Sequence, residues 1–212
     1  MRHPLRRLIP ALALAAVLGA ALPAAAQQKG AMTIGLAARY AWPQLDLDTL
    51  DPALGYGIVF HYWLTSTTSV DVGLDRFAMA TTVGAPGGEA DLDFEFWDLA
   101  VGLRYRPKLD IFLRPYAEVG AGYEFWTVSL DVDGYENRSG SSMVYYAGLG
   151  CDWEFAEDWS LTTGARYYYA PLAEKLEKEV LTVTPNKVET EKDDLTSAGM
   201  LTAGIELTWR FR

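Results

Sequence analysis

The sequence predicts an all-β fold, one eight-stranded antiparallel up-and-down transmembrane β-barrel, and three observations lead there. Eight segments alternate an apolar face with a polar or small one at a period of two, the charges keep to one parity in each, and the links between them are alternately short and long. Strand side chains alternate between faces, so each segment describes a ribbon with one oily and one wet surface.

The first strand sets Met32, Ile34, Leu36, Ala38 and Tyr40 against Thr33, Gly35, Ala37 and Arg39. The second sets Leu54, Tyr56, Ile58, Phe60, Tyr62 and Leu64 against Gly55, Gly57, Val59, His61 and Trp63. In the third, Val70, Val72 and Leu74 oppose Asp71, Gly73 and Asp75, but Arg76 falls on the oily parity. Either the ribbon has left the apolar layer there, or a bulge shifts Phe77 and Met79 onto the oily face. The fourth opposes Trp97, Leu99, Val101, Leu103 and Tyr105 to Asp98, Ala100, Gly102 and Arg104. The fifth, Leu113 to Phe125, carries Arg114, Tyr116, Glu118, Gly120, Gly122 and Glu124 on its wet side. The sixth opposes Met143, Tyr145, Ala147, Leu149, Cys151 and Trp153 to Tyr146, Gly148, Gly150 and Asp152. The seventh opposes Leu161, Thr163, Ala165, Tyr167 and Tyr169 to Thr162, Gly164, Arg166 and Tyr168. The last opposes Leu201, Ala203, Ile205, Leu207, Trp209 and Phe211 to Thr202, Gly204, Glu206, Thr208 and Arg210.

Short turns are expected at Thr65 to Ser69, Arg106 to Asp110 and Ala156 to Asp158. Longer links are expected at Ala41 to Ala53, Ala78 to Glu95, Leu130 to Ser142 and Pro171 to Ser197. Such alternation describes a barrel with two unlike rims.

The chain opens with Arg2, Arg6 and Arg7, runs through the uncharged Leu8 to Leu22, and reaches Pro23-Ala24-Ala25-Ala26 before Gln27. A basic start, an apolar middle and a small-residue site are the layout of a cleaved secretory signal, whereas a membrane-anchoring helix calls for ~20 apolar residues. Cleavage after Ala26 is expected, and it leaves 212 − 26 = 186 residues for one domain from Gln27 to Arg212. No Cys follows the apolar run to carry a lipid anchor. Removing the three arginines leaves 18 − 3 = 15 basic against 28 acidic residues, a net charge of −13. Such a chain repels nucleic acid. Cys151 is the one cysteine, which leaves no disulfide framework and no thiolate metal site.

Periodicity alone leaves open whether the oily face points inward around a greasy ligand or outward to lipid. Three features favour lipid. The wet face is crowded with glycine, which makes room in a narrow lumen. Aromatic residues gather at both ends of the oily face: Tyr40, Tyr56, Trp97, Tyr123, Tyr145 and Tyr169 at the long-link level, and Tyr62, Tyr105, Trp153, Trp209 and Phe211 at the short-turn level. Amphipathic rings at two levels suit two membrane interfaces. The last strand ends almost where the chain does, and a closed barrel has no lipid-exposed edge.

Over Ala31 to Phe211 this pattern resembles the small eight-stranded outer-membrane β-barrel superfamily of Gram-negative bacteria, which holds OmpA-type transmembrane domains and OmpX- and OmpW-like proteins. The resemblance implies short turns and both termini in the periplasm, four loops outside the cell, and lipids and lipopolysaccharide as surroundings. The closing stretch, with Gly204, Leu207, Trp209 and Phe211, looks like the carboxy-terminal signal read by the barrel assembly machinery, although Arg212 follows the last aromatic.

The lumen parity carries Arg39, Asp71, Asp75, Asp98, Arg104, Arg114, Glu118, Glu124, Asp152, Arg166, Glu206 and Arg210. Both signs in quantity are expected to interlock as a plug, because an eight-stranded interior is filled by side chains. A narrow conduit for ions or small solutes is the alternative. Some outer-membrane barrels of this size are lipid A deacylases or palmitoyl transferases that use a His-assisted Ser. Here His61 is the one histidine after the signal, it lies toward the short-turn end, and Ser66 and Ser69 fall in the neighbouring turn. No catalytic activity, cofactor or metal is therefore expected. Acidic groups crowd the long links, at Asp46, Asp48 and Asp51, at Glu89, Asp91, Asp93 and Glu95, and at Asp131, Asp133 and Glu136. They either solvate the loops or bind divalent cations that bridge lipopolysaccharide phosphates. Asp131-Val132-Asp133-Gly134 hints at a calcium loop but lacks the later ligands. Glu174 to Asp194 reads as a hairpin above the membrane or as a surface loop. The expected role is structural or interactive at the cell surface, with an unknown surface ligand.

Overall fold

A computed structural model describes residues 29–45, 50–85, 88–109, 111–130, 137–184 and 187–211, with side chains described outside 83–91, 130 and 172–196. Eight strands follow one another: β1 (Met32–Leu45), β2 (Ala53–Trp63), β3 (Thr68–Ala85), β4 (Gly88–Tyr105), β5 (Leu113–Leu130), β6 (Arg138–Glu154), β7 (Trp159–Thr184) and β8 (Lys187–Phe211). Each pairs antiparallel with the next, and β8 returns to β1 from Met32↔Phe211 to Leu45↔Ala198, closing the barrel. Both ends of the described chain thus lie on the short-turn rim. There is no helix among the described residues.

The oily face points out. Leu36, Leu54 and Leu149 are 68%, 69% and 68% exposed, while Arg104 and Glu118 are each 2% exposed. Water as the surrounding solvent would select the opposite arrangement; hydrocarbon selects this one. On β4 the outward apolar band runs from Trp97 through Leu99, Val101 and Leu103 to Tyr105. That is ~27 Å along the strand at ~3.4 Å per residue, or ~20 Å along the membrane normal at a tilt of ~40°. The height suits the ~25 Å apolar belt of outer-membrane barrels.

The third strand contains no bulge. Its register with β2 and β4 is continuous through Tyr56↔Arg76 and Arg76↔Trp97. Arg76 therefore faces outward, where its Nε donates to Glu95 Oε1 at 2.7 Å and its guanidinium stands 5.7 Å from each of the Tyr56 and Trp97 rings. Phe77 and Met79 stay on the inward face and are buried.

Beyond the level of Arg76 the polarity of the barrel inverts. Ala78, Ala80, Asp93 and Ser141 now face outward and are exposed, while Phe77, Met79, Phe94, Phe96, Trp126, Val128 and Val144 point inward into one apolar cluster. Strands that project from lipid into water regain an ordinary hydrophobic core. Two of the long links are hairpins more than loops. β3 and β4 remain paired to Ala85↔Gly88, and β7 and β8 to Thr184↔Lys187 beyond a register shift between Pro171 and Leu176. Glu174 to Asp194 thus belongs to a β-hairpin.

The candidate functional site in the barrel interior

Every strand contributes a charged group or an imidazole to the inside. Between Leu54 and Trp63, for example, apolar residues at even positions lock their ribbon outward against lipid, which leaves His61 inside. The centre is Arg104 of β4. Its guanidinium lies 2.9 Å from Asp71 on β3, 3.0 Å from Glu118 on β5, 3.6 Å from Asp152 on β6 and 3.3 Å from Glu206 on β8. The Tyr116 ring supports it, with 4.1 Å between guanidinium carbon and ring centroid. Toward the long hairpins, Arg39 pairs with Asp75 and, at 2.5 Å, with Glu206; Arg166 pairs with Glu118 and, at 3.1 Å, with Glu206. Toward the short turns, Glu154 receives Arg106 at 3.1 Å, Arg114 at 3.1 Å and Arg210 at 3.5 Å.

Charge alone does not fill this space. Tyr116 and Tyr146 cross the lumen over glycines. A Cβ at Gly102 or Gly120 would collide with the Tyr146 ring or hydroxyl, and one at Gly150 or Gly164 would meet the Tyr116 hydroxyl. Glycine on the wet parity therefore makes room chiefly for rings, with Arg166 5.3 Å from the Tyr146 centroid.

Of the residues expected on the lumen, Arg39, Asp71, Asp75, Arg104, Arg114, Glu118, Asp152, Arg166, Glu206 and Arg210 meet in this network. Asp98 and Glu124 are also buried, but no ion pair joins them to a base among the described residues. They face one another across β4 and β5 above the network, at the base of the apolar cluster.

Arg106 and Glu154 join the lumen beyond the residues the alternating segments assign to it. Arg106 follows the last residue of β4, but its side chain is 2% exposed, pairs with Asp152 at 3.3 Å and stacks 4.4 Å from the Trp63 centroid. Their signal was parity: Arg106 continues the even series of Gly102 and Arg104, and Glu154 that of Asp152. Ser69, expected at the end of a turn, is inside β3 and fully buried. Alternation does not mark the apolar cluster, because the inward parity continues through Phe77, Phe96 and Trp126 while its chemistry changes.

His61 lies 2.8 Å from Asp71 Oδ1 through Nδ1 and 3.8 Å from Glu206 through Nε2. Ser69 Oγ donates to that same Asp71 oxygen at 2.6 Å, so its proton goes to the carboxylate and not to the imidazole. Both side chains are buried in the network. The described residues contain no cluster of three or more His, Cys, Asp or Glu side chains placed to hold a metal. Asp46, Asp48, Asp131, Asp133 and Glu136 lie outside the described residues, as does the cleavage site after Ala26.

On the closing strand, Gly204 stands opposite Arg39 and Gly164, where a Cβ would meet the Arg39 side chain at 2.8 Å. Leu207 and Trp209 face outward, and the Phe211 ring lies 5.6 Å from that of Trp209 and 6.5 Å from that of Phe60.

Solved structures share this architecture. The crystal structure of Neisserial surface protein A is 19% identical, with 85% of this chain and 97% of that one covered at a TM-score of 0.55. OprG from Pseudomonas aeruginosa is 16% identical, with 88% and 98% covered at 0.54. The N-terminal β-barrel domain of Pseudomonas aeruginosa OprF is 14% identical, with 86% and 100% covered at 0.51. No curated protein matches the sequence. At these identities the structures speak for the fold, and the sequence itself speaks for the family. Residues 11–208 match the family described as Outer membrane protein beta-barrel domain, so the chain belongs to that family of outer-membrane barrels.

Proposed function

We propose that this outer-membrane barrel serves a structural or interactive role at the cell surface, with neither conduction nor catalysis. The observation that carries the reading is the closed ion-pair network of Arg39, Arg104, Arg106 and Arg166 with their carboxylates, drawn from strands all round the barrel and capped by an apolar cluster. A conducting lumen needs a continuous water path, and an ion crossing here would have to break several buried pairs at once. The hairpins β3–β4 and β7–β8 rise beyond the apolar band and supply the surface on which a partner would act. Lipopolysaccharide is the expected neighbour, with exposed acidic groups such as Asp51 and Asp93 open to bridging divalent cations.

For biogenesis, export would use the basic and apolar leader with cleavage after Ala26, and the barrel assembly machinery would read the strand that carries Gly204, Leu207, Trp209 and Phe211. In planar bilayers the refolded mature protein is expected to stay electrically silent. Discrete steps whose ion preference changes with Glu118→Gln would establish a channel instead. Lipopolysaccharide purified after co-expression should keep its mass, and a shift lost in His61→Ala would establish a hydrolase.

A further inference from the structure

We propose that Asp98 and Glu124 share a single proton and form a latch between β4 and β5, which holds the apolar cap of the barrel shut and lets go when the proton is lost. Three observations meet at this level. The first is register. Asp75, Asp98, Glu124 and Ser142 are cross-strand partners in one inward-facing row over β3, β4, β5 and β6. Glu124 thereby touches the Asp98 carboxyl on one side and the Ser142 hydroxyl on the other.

The second observation is charge. The inward arginines pair with Asp71, Asp75, Glu118, Asp152, Glu154 and Glu206, which leaves Asp98 and Glu124 without an ion pair among the described residues. The third is burial. Asp98 and Glu124 are 1% and 4% exposed, and Glu124 borders a narrow apolar cleft between Met79, Phe96, Val144 and Met200. Two carboxylates in contact, away from water and from any base, cannot both carry charge. One proton between them replaces that repulsion by a charge-assisted hydrogen bond, the strong kind.

The neighbours do not remove the need for it. Asp75 of β3 stands beside Asp98 and adds negative charge. Arg39 of β1, Arg166 and the Tyr168 hydroxyl of β7 all turn to Asp75. On the remaining strands β2 offers Gly57 in this row, β6 the neutral Ser142 and β8 Met200. When solvent base takes the proton, two touching carboxylates remain, and their repulsion drives Glu124 against the apolar walls above it. The sign follows from proton counting. The folded barrel keeps a proton that the separated carboxyl groups of the unfolded chain release once the pH exceeds the ordinary carboxylate range. Stability from the latch therefore falls as pH rises, and one retained proton raises the unfolding constant tenfold per pH unit until the latch opens.

The test uses the full mature chain, refolded in micelles for spectra and in lipid vesicles for urea titration. At neutral pH the wild type should show the infrared absorption of a protonated carboxyl group, sensitive to deuterium and lost in both Asp98→Asn and Glu124→Gln. Each variant puts an amide of the same shape beside the remaining acid, so both barrels should assemble. With rising pH the unfolding constant of the wild type should climb over that of Asp98→Asn by tenfold per unit. At the alkaline pH where the infrared band disappears, the Met79 and Met200 methyl resonances should shift in the wild type and stay in place in both variants, with those of the outward Met32 and Met143 unmoved throughout. No band at neutral pH, a band that survives both variants, or a stability difference that does not vary with pH would each overturn the shared proton. Met79 and Met200 methyls that stay in place while the band is lost would overturn the latch.

Discussion

Arg104 touches carboxylates from four other strands, and its planar fork lies against Tyr116. Replacing it by Leu leaves Asp71, Glu118, Asp152 and Glu206 facing one another without a central cation. Removing one member of a buried ionic group costs about 3–5 kcal/mol, so Arg104→Leu should lower the urea midpoint of the vesicle-embedded barrel by a corresponding amount. Arg104→Lys should recover only part of that loss, because an ammonium cannot reproduce the several directions of the guanidinium. Arg76 is the contrast. It is also ion-paired, but it is solvated on the outside, and Arg76→Ala should leave the midpoint almost unchanged. Gly120 makes a different case. A side chain there meets the Tyr146 ring and lies 2.6 Å from the Val101 carbonyl oxygen, so Gly120→Val should destabilise by about 1–3 kcal/mol through overpacking. Gly30, which stands in open space at the rim, gives the control position: Gly30→Ala should cost less despite its positive φ of 84°.

Each strand is divided into a lipid zone and a water zone, and the division follows from solvent alone. Val101 lies midway along the outward band of β4 between Trp97 and Tyr105, so Val101→Arg should cost about 2–4 kcal/mol in bilayers. The same charge at Ala80, on the exposed outer face of β3 beyond Arg76, should be tolerated. Comparing the two urea midpoints locates the membrane surface, and equal losses would refute the boundary drawn at Arg76. The β7–β8 hairpin is separated from the barrel wall by the register shift between Pro171 and Leu176. Replacing residues 176–195 by a two-residue turn should therefore leave a barrel that still shows heat-modifiable migration in detergent gels. A loss of that migration would show that the hairpin is needed for closure.

At the scale of the molecule, the barrel has two interiors stacked end to end. The lower is ionic and lies within the apolar band; the upper is apolar and surrounded by water-facing outer positions. Each half satisfies the solvent outside it. In the lipid half nothing apolar is gained by an oily inside, so the lumen can be filled with charges that pair around the ring. In the water half burial of Phe77, Phe96 and Trp126 again contributes, as in any soluble fold. Conductance belongs to this scale. A silent wild type that begins to conduct in an Arg104→Ser/Arg166→Ser double variant would identify the network as the seal, and a double variant as silent as the wild type would place the seal in the apolar cluster.

The strand number, the up-and-down order and most lumen residues are readable from alternation, because a period of two assigns each residue to a face once one face is known; the glycines of the wet face and the two levels of aromatic residues then turn the oily face outward. Arg106 and Glu154 are readable by the same rule: Glu154 is the last residue of β6, and Arg106 keeps the inward parity one residue beyond the end of β4. Parity could not show which charges meet. That Arg39 reaches Asp75 and Glu206 depends on the stagger of strands around the closed barrel, a property of no single strand. Nor could it show that Asp98 and Glu124 face one another and join no ion pair among the described residues, since on the sequence they alternate like their neighbours. The sequence by itself determined which side of each ribbon faces lipid, because that choice is made residue by residue against the solvent. Only the tertiary structure decided which inward groups are paired, because pairing depends on distances across a closed ring.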